Sequence, residues 1–362
     1  MKNNPKIVVA MSGGVDSAVA ALLLQRQGFT VEALTLRMWH ANTTEQSGLE
    51  SAKHVASSLG IPFHVIDARE DFRREVVQAF LQSHLDCETP NPCVLCNRVV
   101  KWHKLLEFAD KNQAQFVATG HYAQILLNQN GLFELWRAKD ASKDQSYMLS
   151  QLTQTELSRT IFPLGELSKQ QVRQIARESN LAVSQRQDSQ DLCFVDRENY
   201  NNFLEENLPG MTQPGEIRNI QGKLLGQHRG LAHYTIGQRK GLPAYTEALF
   251  VLDKNPTSNT LVVGTASELG KDAFHLSQVS WISALTPDFP LQATVKIRYR
   301  SNPVEATLFP DPQGTLKVQL KQPLRDITPG QTAVFYAGEQ VLGGGTIART
   351  ASTSSLHFVQ NR

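Results

Sequence analysis

The chain has no apolar run approaching the ~20 residues that span a bilayer. Its first residues, Met-Lys-Asn-Asn-Pro, pass into a strand-like segment without the apolar stretch of a secretory signal. A cytoplasmic protein with no membrane partner is therefore expected. A strong charge of either sign is also missing: 36 Lys and Arg stand against 34 Asp and Glu, a net +2, so any basic surface has to be local. Cysteines are scarce, only Cys87, Cys93, Cys96 and Cys193 in 362 residues. That is too few for a disulfide scaffold, and in a reducing compartment such thiols read as reactive, redox or metal-binding groups. Internal repeats and low-complexity tracts are absent too. What is present, 41% hydrophobic residues over this length, suggests a globular protein of two or three domains.

A further absence sits near the N-terminus. Ile7 to Ala10 read as a buried strand, Ser12, Gly13 and Gly14 break it, and Ala18 to Leu24 restart as a helix. A strand that turns through Ser-Gly-Gly into a helix gathers backbone N–H groups and a positive helix end at one point, a receptor for phosphate oxygens. A Walker loop would carry a lysine there; this loop carries Asp16. An aspartate beside phosphate repels it unless it helps hold Mg²⁺ or caps the helix. The string Ser12-Gly-Gly-Val-Asp-Ser17 in this setting resembles the pyrophosphate-loop ATP hydrolases, which cleave ATP between the α- and β-phosphates. That resemblance implies a nucleotide site built from Ala10, Met11, Ser12, Gly13, Gly14, Val15, Asp16 and Ser17.

Strand and helix patterns alternate from residue 1 to about 120, with strands at 6–10, 31–37, 62–67 and 115–119 and helices at 16–27, 48–59, 70–85 and 98–112. This predicts a doubly wound parallel sheet with helices on both faces. Ligands of such sheets lie beyond the carboxyl ends of the strands, where Ser12–Ser17, Leu36 to Trp39 and Gly120-His121 fall. A hairpin is expected at 122–137 and helices near 145–152 and 168–179, the latter opened by the capping sequence Leu-Ser-Lys-Gln-Gln. After about 205, Pro and Gly punctuate short segments. The expected organisation is an α/β catalytic domain over 1–205, a small β-rich module over 206–275 and an all-β barrel over 276–362, with Ala293 to Arg300 as one of the barrel strands.

Cys93 and Cys96 lie in Thr89-Pro-Asn-Pro-Cys-Val-Leu-Cys-Asn97, read as a proline-stiffened loop entering a helix near Arg98. A helix N-terminus there stabilises a thiolate. Cys193 follows about 100 residues later. Three readings stay open: a sulfur relay closing on a disulfide, ligation of zinc or an iron–sulfur cluster by three thiolates, or small buried residues.

Taken together, Ala10–Ser17, Thr89–Pro92 with Cys96-Asn97, Ala118-Thr-Gly-His-Tyr122, Lys143-Asp-Gln-Ser-Tyr147, Cys193-Phe194 and Thr235-Ile-Gly-Gln-Arg-Lys-Gly-Leu242 resemble, in order, the tRNA-specific 2-thiouridylases. These enzymes place sulfur at C2 of the wobble uridine. The resemblance implies ATP and Mg²⁺, with Leu36 and Gly120 joining the nucleotide site, and adenylation of the uridine oxygen to make it a leaving group. It implies Cys193 as persulfide carrier and Cys96 as the nucleophile that frees the sulfur and closes a Cys96–Cys193 disulfide. The implied tRNA contacts are Asn91, Pro92, Cys93, His121, Lys143, Asp144, Gln145, Arg298, Tyr299 and Gln331, with Arg239 and Lys240 suited to phosphate. A cysteine desulfurase or relay protein is implied as sulfur donor. One departure matters: many members carry Asp where this chain has Cys93. Cys93, Cys96 and Cys193 together suggest, as an alternative to the persulfide, an iron–sulfur cluster whose open iron takes the donated sulfide. Two further readings are another adenylating ligase of the same class, which needs no distant cysteine pair, and a non-catalytic tRNA-binding protein.

Overall fold

The computed structural model describes residues 4–39, 43–186, 192–196, 198–311 and 314–349. Its N-terminal part is built on a five-stranded parallel sheet ordered Phe63–Asp67, Thr30–Arg37, Lys6–Ala10, Phe116–Ala118, Thr160–Ile161. The central strand explains itself. Ile7, Val8 and Val9 have no exposed surface, and successive side chains point to opposite faces. Ile7 and Val9 pack with Ala18, Val19 and Leu24 of the first helix, Val15–Arg26, while Val8 packs with Leu34, Leu105 and Ala109 on the other face. The strand order reverses between Lys6–Ala10 and Phe116–Ala118, and a crevice opens there at the carboxyl ends. The two-residue fifth strand is too short to leave a periodic signal in the sequence.

The helix carrying Cys93 and Cys96 begins earlier than the sequence suggests. It starts at Pro92 and runs through a π-type turn, Asn97–Lys101, into Trp102–Lys111. Proline is pre-organised for the first helical position, and the Asn91 side chain accepts from Val94 N at 3.4 Å as the cap. Cys93 and Cys96 thus lie within the helix rather than on a loop before it.

The hairpin of Ala123–Leu127 and Phe133–Arg137 forms as expected, but it leaves the parallel sheet and pairs with Gln340–Ile347. It extends a closed antiparallel barrel of Lys271–Trp281, Leu316–Leu324, Val304–Pro310, Leu291–Lys296, Thr332–Ala337 and Gln340–Ile347, whose first and last strands also pair. Val295, Leu308, Val318, Ala333 and Phe335 fill it. The expected strand over 293–300 ends at Lys296, and Ile297–Arg300 turn away as a bend. Between the two parts, a four-stranded sheet ordered Phe250–Asn255, Thr260–Gly264, Gly215–Asn219, Leu224–His228 shares one core with the cysteine region. Phe72, Phe80, Cys96 and Phe194 pack with Ile217, Leu231 and Leu261.

Candidate active site

Ala10 ends its strand and Met11 is fixed by Met11 N to Leu34 O (2.8 Å) and Thr35 Oγ1 to Met11 O (2.7 Å). The chain then turns through Ser12 and Gly13. Ser12 N donates to Ser17 Oγ at 3.2 Å, and Ser17 Oγ donates to Gly14 O at 3.1 Å. Gly13 has φ +76°, and a Cβ there would lie 2.1 Å from Gly48 O. Gly120 is constrained from the other side: a Cβ would sit 2.7 Å from Ser17 N and 2.8 Å from Asp16 C. The ends of two strands and a helix N-terminus are thereby drawn so close that only glycines fit. Val15 opens the helix and is buried; Leu36, half-buried at the end of the adjacent strand, borders the same crevice.

The helix is capped at Gly14 without a side chain, so Asp16 is no cap. Its carboxylate receives Lys169 Nζ at 2.8 and 2.7 Å and Tyr122 OH at 2.7 Å. The lysine missing from the loop is supplied from 153 residues away, at the first turn of Lys169–Glu178. Arg186 fastens the loop from behind, donating to Gly13 O (3.0 Å) and Ser51 Oγ (2.8 Å). Neither residue stood out in the sequence. Lys169 lies within the capping sequence, which by itself signals only a helix start.

The thiols form a second cluster. Cys96 is buried, with its Sγ 3.8 Å from Met38 Sδ, while Cys93 and Cys193 are open to solvent on one side. Cys193 is pinned by its neighbour: the Phe194 ring lies 5.2 to 5.9 Å from those of Phe80, Phe203, Phe72 and Trp39. All three thiols are raised. Burial pushes Cys96 up to about 11, with Lys101 opposing and Cys93 adding. Crowding by protein pushes Cys193 up to about 12, with Cys96 and Cys93 adding to it and Lys101 opposing. Burial likewise raises Cys93, against Lys101. The three sulfurs therefore share one electrostatic neighbourhood with one ammonium. The thiolate-stabilising helix end expected for Cys96 is outweighed by desolvation, because Cys96 closes the first turn instead of opening it. Among the described residues, no three His, Cys, Asp or Glu side chains are grouped to hold a metal ion. The cluster reading for Cys93, Cys96 and Cys193 finds no support in this geometry.

Three regions match known family models: residues 5–197 the tRNA methyl transferase HUP domain, 201–265 the tRNA methyl transferase PRC-barrel domain and 271–347 the aminomethyltransferase β-barrel domain. The tRNA-specific 2-thiouridylase MnmA of Natranaerobius thermophilus is 40% identical over 97% of this chain and 100% of the relative. Those of Magnetococcus marinus (43%, 96% of this chain, 100% of the relative) and Syntrophotalea carbinolica (44%, 96% and 99%) are similar over the same span. The chain belongs to the tRNA-specific 2-thiouridylase family.

For a 2-thiouridylase, the remaining expected residues fall into two groups. Near the crevice, His121 receives or donates one bond at Thr119 Oγ1 (2.7 Å) and packs 5.8 Å from Trp102 and 6.3 Å from Phe162. Burial, helped by Lys101, drops it to about 3, so it is neutral. Gln145 accepts Tyr122 N at 3.1 Å and donates its own N–H to Tyr122 O at 2.8 Å. Asp144 is buried, and its carboxylate holds its own loop through Ala138 N, Ser146 N and Ser146 Oγ at 3.0 to 3.1 Å. Lys143 is half-buried on that loop.

On the barrel, Arg298 donates to Ile236 O at 3.1 Å and to Thr328 Oγ1, joining barrel to central module. The Tyr299 ring lies 5.9 Å from that of Tyr147. Gln331 Nε2 donates to Thr89 O and Pro90 O at 2.8 and 3.2 Å, just before the cap Asn91 and buried Pro92. Lys101, whose Nζ lies 3.2 Å from Asn97 Oδ1, is the cation of the thiol site that the sequence did not reveal. Its only signal was a position five residues after Cys96, which the wide π turn brings toward the same face.

Proposed function

We propose that this chain transfers sulfur to C2 of the wobble uridine of tRNA at the expense of ATP. The observation that carries this reading is the pairing of a glycine-rich loop, to whose Asp16 the chain brings Lys169, with a thiol at the same carboxyl end of the sheet, where Cys96 Sγ lies 3.8 Å from Met38 Sδ just past the strand Thr30–Arg37. The C2 oxygen of uracil leaves only once activated. Adenylation makes it a phosphate ester and releases pyrophosphate, and both products need a cradle for negative charge. Backbone N–H groups at residues 13–17, the hydroxyls of Ser12 and Ser17, and Lys169 supply one. Asp16, whose two oxygens receive Lys169 Nζ, is the carboxylate that would hold Mg²⁺ with the lysine turned to the phosphates, and Mg²⁺ there would offset phosphate charge.

Cys193, exposed to solvent, is proposed to accept a persulfide sulfur from a donor protein such as a cysteine desulfurase or relay protein. Attack by Cys96 sulfur on the Cys193 sulfur of that persulfide forms the Cys96–Cys193 bond and releases the outer sulfur as sulfide. The sulfide adds at C2 and AMP departs with the former oxygen. A thiol reductant then restores both cysteines. Asn91, Pro92, Cys93, His121, Lys143 and Gln145 are proposed to receive the splayed-out anticodon base. Arg298, Tyr299, Arg239 and Lys240 are proposed to meet the RNA from the barrel and central module. The proposed compartment is the cytoplasm, in keeping with reduced thiols.

The test separates the two half-reactions. With purified protein, tRNA, ATP and a persulfide donor, Cys193→Ser releases pyrophosphate but forms no 2-thiouridine, and Asp16→Ala does neither. Loss of pyrophosphate release in Cys193→Ser, or its survival in Asp16→Ala, overturns the reading.

A further inference from the structure

The barrel grips the segment just ahead of the cysteine helix through its turn before Thr332–Ala337. Pro329 O accepts Thr89 N at 2.8 Å, and Gln331 Nε2 donates to Thr89 O at 2.8 Å and Pro90 O at 3.2 Å. Gly330, at φ +85°, approaches so closely that a Cβ would lie 2.8 Å from Glu88 Cβ and 3.0 Å from Thr89 N. The turn is itself tied down. Gly330 N donates to Ile347 O at 2.9 Å, Ile347 N to Gln331 O at 2.8 Å and Gln331 N to Thr328 O at 3.2 Å, so it is stitched to the last barrel strand. Two residues after Pro90 the helix of Cys93 and Cys96 begins.

This arrangement spends the donor end of Gln331 on the protein. Two carbonyls, of Thr89 and Pro90, converge on one –NH₂, which has two hydrogens to give. A proline-rich segment has few backbone donors with which to hold itself, because Pro90 and Pro92 have no N–H. It therefore depends on donors brought from elsewhere.

We propose that Gln331 is a positioning residue for sulfur transfer: it holds Thr89-Pro90 so that the helix beyond presents Cys96 to Cys193. The inference rests on the relay described above, and it assigns Gln331 a task that is complete before any RNA arrives. The barrel thereby becomes part of the sulfur-transfer apparatus.

The experiment uses the full chain without tRNA. The protein is equilibrated in mixtures of reduced and oxidised dithiothreitol, quenched by alkylation, and the Cys96–Cys193 disulfide is quantified by peptide mass. The exchange balances as two protein thiols plus cyclic dithiothreitol giving one protein disulfide plus the dithiol. In Gln331→Glu, which keeps the shape and loses both hydrogens, and in Gln331→Ala, the equilibrium constant for the disulfide falls about tenfold, as expected for two lost hydrogen bonds. Val318→Ala, a cavity in the barrel core, leaves it near the wild-type value.

Hydrogen exchange over residues 89–97 is read on the same samples, and it rises in the Gln331 variants only. A wild-type disulfide constant in both Gln331 variants, or an equal fall in Val318→Ala, overturns the proposal. Should the wild-type protein form no Cys96–Cys193 disulfide, the relay fails. The exchange data alone then decide the clamp, and unchanged protection in the Gln331 variants overturns it.

Discussion

Lys169 and Asp16, 153 residues apart, form a two-pronged ion pair at the mouth of the phosphate loop, with Nζ 2.8 and 2.7 Å from the two carboxylate oxygens. Tyr122 OH completes the set at 2.7 Å. The pair is partly screened: the side chains keep 12% and 31% of their exposure. Its importance is therefore better sought in catalysis than in stability.

Removing the ammonium leaves the Asp16 carboxylate with Tyr122 OH but without a cation to offset its charge. Lys169→Met is expected to lower the rate of pyrophosphate release about 10²-fold or more, the scale of losing one preorganised donor to developing charge. Lys169→Arg recovers part of it. Stopped-flow pyrophosphate detection with tRNA present makes the comparison, and a Lys169→Met rate within twofold of wild type, a small ratio on that scale, contradicts the assignment.

Gly120 tests the close approach of strand end to helix. A Cβ at Gly120 would meet the backbone at Ser17 N and Asp16 C, atoms that cannot swing aside as a side chain can. Gly120→Ala is expected to cost about 1–3 kcal/mol of stability and to raise the KM for ATP more than the KM for tRNA. Chemical denaturation and initial-rate kinetics check both parts.

Phe194 should separate the two half-reactions by position alone. Its ring is buried among four aromatic rings, and Phe194→Ala is expected to cost about 3–5 kcal/mol, less whatever local collapse recovers. The released Cys193 segment should abolish 2-thiouridine formation while pyrophosphate release persists in the folded fraction. Phe194→Leu restores most of the sulfur transfer.

Acid should destabilise the protein through histidine. Burial holds His84 down at about 4, against an ordinary 6.5. The unfolded chain thus takes up a proton that the folded one refuses, and stability is lost as pH falls from about 6.5 through 4. His121, also lowered by burial to about 3, adds in the same direction. The midpoint of urea unfolding should fall between pH 7 and pH 5, with a smaller fall in His84→Gln. The thiols act at the other end. With Cys96 raised to about 11, its alkylation by iodoacetamide should be slow at pH 7 and climb about tenfold per pH unit toward 10, since only the thiolate reacts.

Much of this molecule was legible from its residues. The apolar run Ile7–Ala10 and the Ser-Gly-Gly turn announced a strand, a tight turn and a helix, and all three stand where the pattern put them. Local signals carried them: alternation, glycine and a helix restart. The thiol helix was misplaced by about one and a half turns because Pro90 and Pro92 read as loop. Pro92 in fact opens the helix, with Asn91 as its cap. Lys169, Arg186 and Lys101 escaped notice because a single basic residue carries no periodic signal, and only tertiary structure brings it to its partner. The hairpin was visible, but its pairing with the barrel strand Gln340–Ile347, some 200 residues on, was not.

The most direct test is made on cellular tRNA. Nucleosides from a strain deleted for this protein, and from that strain carrying the wild-type, Cys96→Ser or Cys193→Ser form, are compared by mass spectrometry. The expected result is loss of 2-thiouridine on deletion, full recovery with the wild-type form and none with either serine variant. An undiminished level of 2-thiouridine in the deletion strain, or its recovery by a chain lacking one of the two thiols, would contradict the joining of phosphate loop and sulfur relay in one enzyme.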